Sequence, residues 1–341
     1  LDVLKIISAL MIVVIHASSG VYNNHTLGSF TWKTGLLLNA FTRFAVPSFL
    51  MITGALVLGK DISVKKAARK AVFAGVALLF WSFSYIIIRK LLWGEGDVLQ
   101  DTWMLLFKRG PSGHLWYGYL LVWIYLFSPI LSALYRALDE KQRLYFVGIA
   151  LAAPSIIDGI IGYFSLDAQF LIQPYFIYLN TGYMAVMFLG KIIYDHQDKW
   201  KGWMGAAAMV GGYCITVGLS FFVSRRTGAS QHTFFDELQV SNVLYAAGVM
   251  LLMCRLKGSD RKSMAKTMIT RISEISLGIY FAHVLAMWIF GNDLYIWGRH
   301  LNLENSVWEC LIFVGIYFVL TILFLWPVSK IPGLKKLVKV S

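Results

Sequence analysis

Charge is what this sequence has least of: Asp, Glu, Lys and Arg make up 14% of its 341 residues, against 58% hydrophobic and 15% aromatic residues. A soluble domain carries about a quarter of its residues charged, so the scarcity excludes that class and points to a chain solvated by lipid. Long polar connections are missing too. No loop exceeds about 25 residues, which leaves no room for a soluble catalytic domain, and any chemistry must come from helices and their short links. The cysteines number three, Cys214, Cys254 and Cys310. All lie in apolar runs, without the spacing of a disulfide framework or a metal knuckle. The histidines show no His-Glu-x-x-His spacing, so no metal is expected. There is no Gly-x-Ser-x-Gly elbow and no Walker loop, which argues against a soluble-type hydrolase or a nucleotide hydrolase. No fixed-period repeat and no low-complexity tract is visible, in contrast to the duplicated transporter designs.

What the chain has in abundance is apolar runs long enough to cross a bilayer, which takes about 20 residues. Ten are present, at 3–21, 34–58, 72–92, 114–135, 144–162, 174–194, 202–223, 237–254, 273–290 and 306–329. The expected fold is all-α: one polytopic domain over 1–341, with about ten transmembrane helices in one bundle and the lipid bilayer as its medium. If the first run enters from the cytoplasm, the segments on that side hold 21 of the 31 Lys and Arg and the segments on the other side hold 8. Cytoplasmic loops retain basic residues, so both termini are expected inside. The net charge of +13 is spread over short loops on one face, as topology alone produces, and does not indicate nucleic acid. The opening run lacks the cleavage pattern of a signal peptide and reads as a retained helix.

Ionisable residues inside such runs are costly and mark functional candidates. In the opening run LDVLKIISALMIVVIHASSG, Lys5 and His16 are eleven residues apart, within about 20° on one face and about 16 Å along the axis. Lys5 can snorkel to the boundary and pair with Asp2; His16 is left inside the span. In NAFTRFAVPSFLMITGALVLG, Arg43 lies about 13 Å below the outer end, one turn before Pro47. A permanent charge at that depth requires an ion-pair partner or a polar cavity. His114, Trp116 and Tyr117 open the fourth run at the outer boundary, where aromatics commonly form a belt. In the ninth, Glu274 is near the inner start and His283 about 13 Å further in. A buried, satisfied histidine is the plain alternative for His16 and His283. The inner link GKDISVKKAARK sets Lys65, Lys66, Arg69 and Lys70 within two helical turns. These are either a topological flank or a site for a phosphate-bearing donor.

LDVLK followed by ten residues and His16, RFAVPSFLMITGALVLG, HLWYGYLLVWIYLFSPIL and SLGIYFAHVL together resemble, in order and spacing, the signature segments of the acyltransferase-3 family. These are bacterial membrane O-acyltransferases that modify surface polysaccharides, and the chain looks closest to stand-alone members such as those acting on enterobacterial common antigen. The resemblance covers all ten runs. It implies a multi-pass protein of the bacterial inner membrane, with acetyl-CoA or another acyl-CoA as donor and a saccharide hydroxyl outside as acceptor. The family carries Arg, ten residues, then His in the first helix; Lys5 here keeps the charge and loses the bidentate fork. Lys66 and Arg69 loosely match its basic pair after the second helix. By this resemblance Lys5, Lys66, Arg69, Lys70 and His283 are candidate donor-binding residues and His16 is the candidate base. A histidine of ordinary pKa, about 6.5, can take a proton from the attacking hydroxyl or relay the acyl group. Arg43 or His114 is the candidate for the developing oxyanion. Tyr22, Trp32, Trp103, Trp297 and Trp308 are candidate sugar platforms, and 98–107 is a candidate surface helix. A transporter or flippase of a polar or lipid-linked glycan is the competing reading, and a non-catalytic scaffold the third. Acceptor identity, acyl length and oligomeric state are not written in the sequence.

Overall fold

An apolar run in lipid has to satisfy its backbone within itself, and helix is the conformation that does so segment by segment. The computed structural model describes residues 1–94, 100, 102, 111–164, 172–256, 264–296 and 299–339, with the side chains at 158, 161, 162, 172–180 and 296 outside the description. The helices among them are α1 (Asp2–Asn23), α2 (Phe30–Phe41), α3 (Ala45–Val57), α4 (Val64–Trp93), α5 (Trp116–Ala137), α6 (Glu140–Phe164), α7 (Ile172–His196), α8 (Gly202–Thr227), α9 (Val240–Arg255), α10 (Met264–Glu274), α11 (Ser276–Phe290), α12 (Val307–Val328) and the short α13 (Lys335–Val338). Single 3-10 turns at Gly113–Leu115 and Thr233–Phe235 precede α5 and α9. Among the described residues the departure from helix is a small hairpin, β1 (Asp293–Ile296) against β2 (Arg299–Asn302), antiparallel with Asp293 opposite Asn302.

Helix limits follow local chemistry. Ser29 caps α2 by accepting from Trp32 N, and Ser63 and Ser306 cap α4 and α12 in the same way. Gly94 and Gly228, with φ of 68° and 75°, end α4 and α8 in the left-handed region that glycine tolerates. Among the described residues seven helical segments are long and apolar enough to cross a membrane, or eight if the bent pair α10–α11 is one span. The chain is thus an all-α polytopic membrane protein. The expected runs 144–162 and 174–194 are the helices α6 and α7, parts of which lie outside the described side chains. The stretch 98–107 falls almost wholly outside the described residues.

Two runs read as continuous are broken. The run 34–58 is two helices, α2 and α3, parted at Thr42–Phe44. Pro47 has no N–H to give the carbonyl of residue 43, and its ring crowds that carbonyl, so the break falls four residues before the proline. Arg43 therefore sits at the break. The run 273–290 bends by 69° between α10 and α11. The polar helix α10, MAKTMITRISE, cannot enter the apolar layer that SLGIYFAHVLAMWIF fills, so the chain turns where the composition changes, just inside the start of the expected run.

α1 is the centre of the bundle, packed against α2, α3, α10, α11 and α12. Outward faces are apolar and exposed, as with Val72, Val76 and Ile87 on α4 and Ile312, Val319, Leu323 and Phe324 on α12, which inverts the soluble pattern. Basic link residues gather at one end, where Arg136 pairs with Asp61 and Lys339 with Glu274. The opposite end is tied by Asn24 Nδ2 and His25 Nε2, which both reach Glu304.

The closest helix contact is α3 on α7. A Cβ at Gly54 would lie 2.0 Å from Met187 O, and one at Gly190 2.3 Å from Met51 Cα. Backbone on both sides leaves nothing flexible to give way. Gly54→Ala is expected to cost about 2 kcal/mol or more, read as a lowered Tm in detergent. Gly148→Ala, in open space on α6, is expected to be neutral or to gain up to about 1 kcal/mol.

Candidate functional site

Three segments remote in sequence bring three imidazoles into contact. His16 from α1, His114 from the turn before α5 and His283 from α11 form a triangle of ring centroids: 5.8 Å between His16 and His114, 5.1 Å between His16 and His283, and 5.1 Å between His114 and His283. His283 is fully buried and His114 5% exposed. His16 is exposed although Val14 and Ala17 beside it are buried. On a central helix, with buried rings against it, that exposed surface faces space inside the bundle. The sequence candidates His16, His114 and His283 are thereby one site.

Each ring is held differently. His283 Nδ1 lies 2.7 Å from Tyr280 O and 3.2 Å from Ile279 O. Carbonyls only accept, so Nδ1 carries the proton and Nε2 offers a lone pair. That Nε2 is buried with no partner. His114 has both nitrogens engaged: Nδ1 with Ser112 Oγ at 2.9 Å and Nε2 with Tyr85 OH at 3.2 Å. Tyr85 OH donates to Phe281 O at 2.9 Å and accepts from Leu285 N at 3.2 Å. Its oxygen thus accepts from His114 Nε2–H, and Ser112 donates to Nδ1. Tyr280 OH adds a hydrogen bond to His114 O. With both nitrogens committed, His114 is placed to position its neighbours rather than to meet an oxyanion.

Arg43 lies at the edge of this cluster, within electrostatic reach of His16, Asp236 and Glu237. It donates from Nη1 to Phe235 O at 3.1 Å and from Nη2 to Asn39 Oδ1, with its guanidinium carbon 4.4 Å from the centre of the Phe235 ring. Asn39 is itself buried and donates to Ser18 Oγ at 2.9 Å, so α1, α2 and the break are tied together. Arg43 Nε is buried and unpartnered, which leaves one N–H of the guanidinium without an acceptor. Glu237 accepts from Tyr183 OH at 2.6 Å.

The segment carrying Phe235 to Glu237 is fixed by residues with another expected role. Trp32 Nε1 donates to Ser230 Oγ at 2.8 Å, and Tyr22 OH lies 2.9 Å from Ser224 Oγ and accepts from Gln231 N. Tyr22 and Trp32 are fully buried, so they are packing residues and not open sugar platforms. Trp308 is 78% exposed; Trp103 and Trp297 lie outside the described residues. Sequence reasoning missed Tyr85, Asp236 and Glu237. Tyr85 looked like one more aromatic in an apolar run. The signal for the acids was their adjacency at the mouth of a span in a chain with only 18 Asp and Glu.

Lys5, Lys66, Arg69 and Lys70 are not brought to the histidines. Lys5 pairs with Asp2 at 3.8 Å, as its spacing suggested, and Asp2 also accepts from Ser273 Oγ. Lys66 and Arg69 are exposed on the first turns of α4, while Lys70 is half-buried with Nζ 5.6 Å from the centre of the Tyr125 ring. All four belong to the basic end. Among the described residues no group of three or more His, Cys, Asp or Glu is arranged to hold a metal; the close imidazoles do not aim free nitrogens at one point, since His114 has none free.

A family model described as an acyltransferase domain matches residues 1–330. No curated protein and no solved structure matches the chain at a significant level.

The exposure difference among the three rings has a direct chemical readout. Diethyl pyrocarbonate, followed by peptide mass spectrometry, is expected to modify His16 and to leave His283 untouched in the folded protein. Equal modification of both would contradict the enclosed position of His283.

Proposed function

Since the match over residues 1–330 places this chain in the acyltransferase-3 family of membrane acyltransferases, we propose that it moves an acyl group, acetyl in the first instance, from cytoplasmic acyl-CoA to a hydroxyl of a glycan or lipid-linked glycan on the outer side of a bacterial inner membrane. The observation that carries this reading is the meeting of His16, His114 and His283 around space into which His16 is open. A transporter has no need of three imidazoles in mutual contact, one of them with a bare and unpartnered Nε2.

In this reading the basic end is cytoplasmic, by the rule that inner loops retain Lys and Arg. The donor's phosphates stay there with Lys66, Arg69 and Lys70, and its thioester reaches His16. From Lys70 to Tyr85, which touches His114, is about 22 Å along α4, a span that the side chains at either end shorten and a long flexible arm can bridge.

The acceptor hydroxyl attacks the thioester carbonyl carbon. His16 takes the hydroxyl proton as the C–O bond forms, and returns it to the thiolate as the C–S bond breaks, so free CoA and the ester leave and the imidazole ends neutral. His283 is the group beside His16 with a lone pair to spare. It can accept the second N–H of His16 and set its tautomer, as the partner in a catalytic pair does. Arg43, with Nε uncommitted, is the candidate to stabilise the charge on the carbonyl oxygen. Tyr85 and Ser112 hold His114, which keeps the wall of the site in place.

Release of free CoA from acetyl-CoA by protein in proteoliposomes, given a bacterial glycan extract, tests this. His16→Ala is expected to lower the rate by 10² or more, with donor binding retained. Glycan crossing the membrane unmodified, with no CoA released, would favour the transporter.

A further inference from the structure

The end of α4 that carries Lys66 and Lys70 holds an electrostatic conflict. Lys66 and Lys70 are four residues apart on one helical face, and like charges at that spacing repel. Lys60 adds to the crowding, within electrostatic reach of Lys70 together with Lys66. Lys65 and Lys66 lie in the first turn of a 30-residue helix with no acidic residue there, at the positive end of its dipole. Of the carboxylates at this end, Asp61 is paired with Arg136 and Glu274 with Lys339.

Two more cations, Lys335 and Lys336, lie on a segment docked along the same helix. Trp81 Nε1 donates to Leu337 O at 3.1 Å, and Val338 is fully buried against Gly278 of α11, where a Cβ would lie 2.6 Å from Val338 Cγ1. α13 is therefore pinned across α4 and α11. Its Lys336 Nζ sits 4.6 Å from the centre of the Phe73 ring, one turn along α4 from Lys70, and Lys335 and Lys336 are both exposed. A topological need for inner lysines is met by lysines anywhere on this face. It does not require a tail docked so that its lysines join a patch already crowded with positive charge.

We infer that α13 supplies the second wall of a phosphate-binding site, with Lys335 and Lys336 beside Lys66 and Lys70, and that its ligand is phosphate-bearing: the nucleotide end of the acyl donor. This rests on the donor reading above and extends it to a segment that no signature residue marks. Lysines bind phosphate oxygens as point charges, and a polyanion shared between two walls removes the repulsion that each otherwise bears. Inner-leaflet headgroups offer the same phosphate chemistry, so the test separates the two sources.

The test uses the full chain in nanodiscs of zwitterionic lipid, titrated with CoA and with pantetheine by calorimetry, and repeated with anionic lipid added. Lys335→Ala/Lys336→Ala keeps the backbone anchors of α13; Lys330→Ala, whose Nζ is 5.3 Å from the centre of the Trp326 ring, is the control on the same face. The paired variant is expected to bind CoA about tenfold more weakly, with pantetheine binding and the control unchanged. Unaltered CoA affinity in the paired variant, with the wild type binding normally, overturns the role of α13 and leaves the proposed function standing. A loss seen only with anionic lipid assigns the patch to headgroups and overturns it too. Wild-type protein that binds no CoA in either lipid removes the donor reading itself, and this inference with it.

Discussion

The hydroxyl of Tyr85 is the junction on which the site depends. It donates to Phe281 O, accepts from Leu285 N and meets His114 Nε2, so one oxygen ties α4 to α11 and to the turn before α5. In an apolar bundle no water replaces a lost partner, and a buried polar group without one costs about 1–3 kcal/mol. Four groups satisfied at one atom make the relative position of three segments hard to change. Phe281 O lies two residues before His283, so the same junction sets the height of the His283 ring against His114. The triangle of histidines is thus a product of backbone hydrogen bonding as much as of side-chain packing, and His16 is the member left free of it.

How much of this was legible follows from what a single run of sequence records. Helix positions were, because length and hydropathy in lipid leave no other conformation. The break at Arg43 was half-legible: Pro47 was visible, but its effect falls on the carbonyl four residues back, and that places the arginine at the break between α2 and α3 instead of within a continuous helix. The bend at Ile275 is written in the change from MAKTMITRISE to SLGIYFAHVLAMWIF, and the expected run 273–290 begins within two residues of it. Residue by residue, His16, His114 and His283 each had a plain explanation as a satisfied histidine or a boundary residue. Only the resemblance to a family linked them, since depth along separate helices does not say which faces meet. Tyr85 carried no signal of its own, and the acids at 236 and 237 fall at the boundary of the expected run 237–254.

Between the histidines and the basic end lies an apolar layer. Trp81 stacks on Phe281 with rings 6.5 Å apart and 13° from parallel, and a Cβ at Gly118 would come within 2.8 Å of Leu78 Cδ1 and 2.9 Å of Phe281 Cε1. The absence of a side chain at Gly118 lets these groups close over α5. The layer separates two polar regions, one of clustered lysines at the basic end and one of three imidazoles with Arg43, Asp236 and Glu237 nearby.

That separation also explains why one helix carries both regions. Along α4 the face that begins with Lys66 and Lys70 continues through Phe73, Ala77 and Trp81 before the turn that holds Tyr85, at spacings that keep successive members within one helical stripe. A helix is a ruler of fixed rise, so the separation of Lys66 and Lys70 from Tyr85 is set by residue count alone and does not drift with loop motion. α13 docks on that stripe at Phe73 and Trp81, just below the layer. α13 is bonded to Trp81 through Leu337 O, Trp81 rests on Phe281, and Phe281 O is held by the Tyr85 hydroxyl that fixes the histidines.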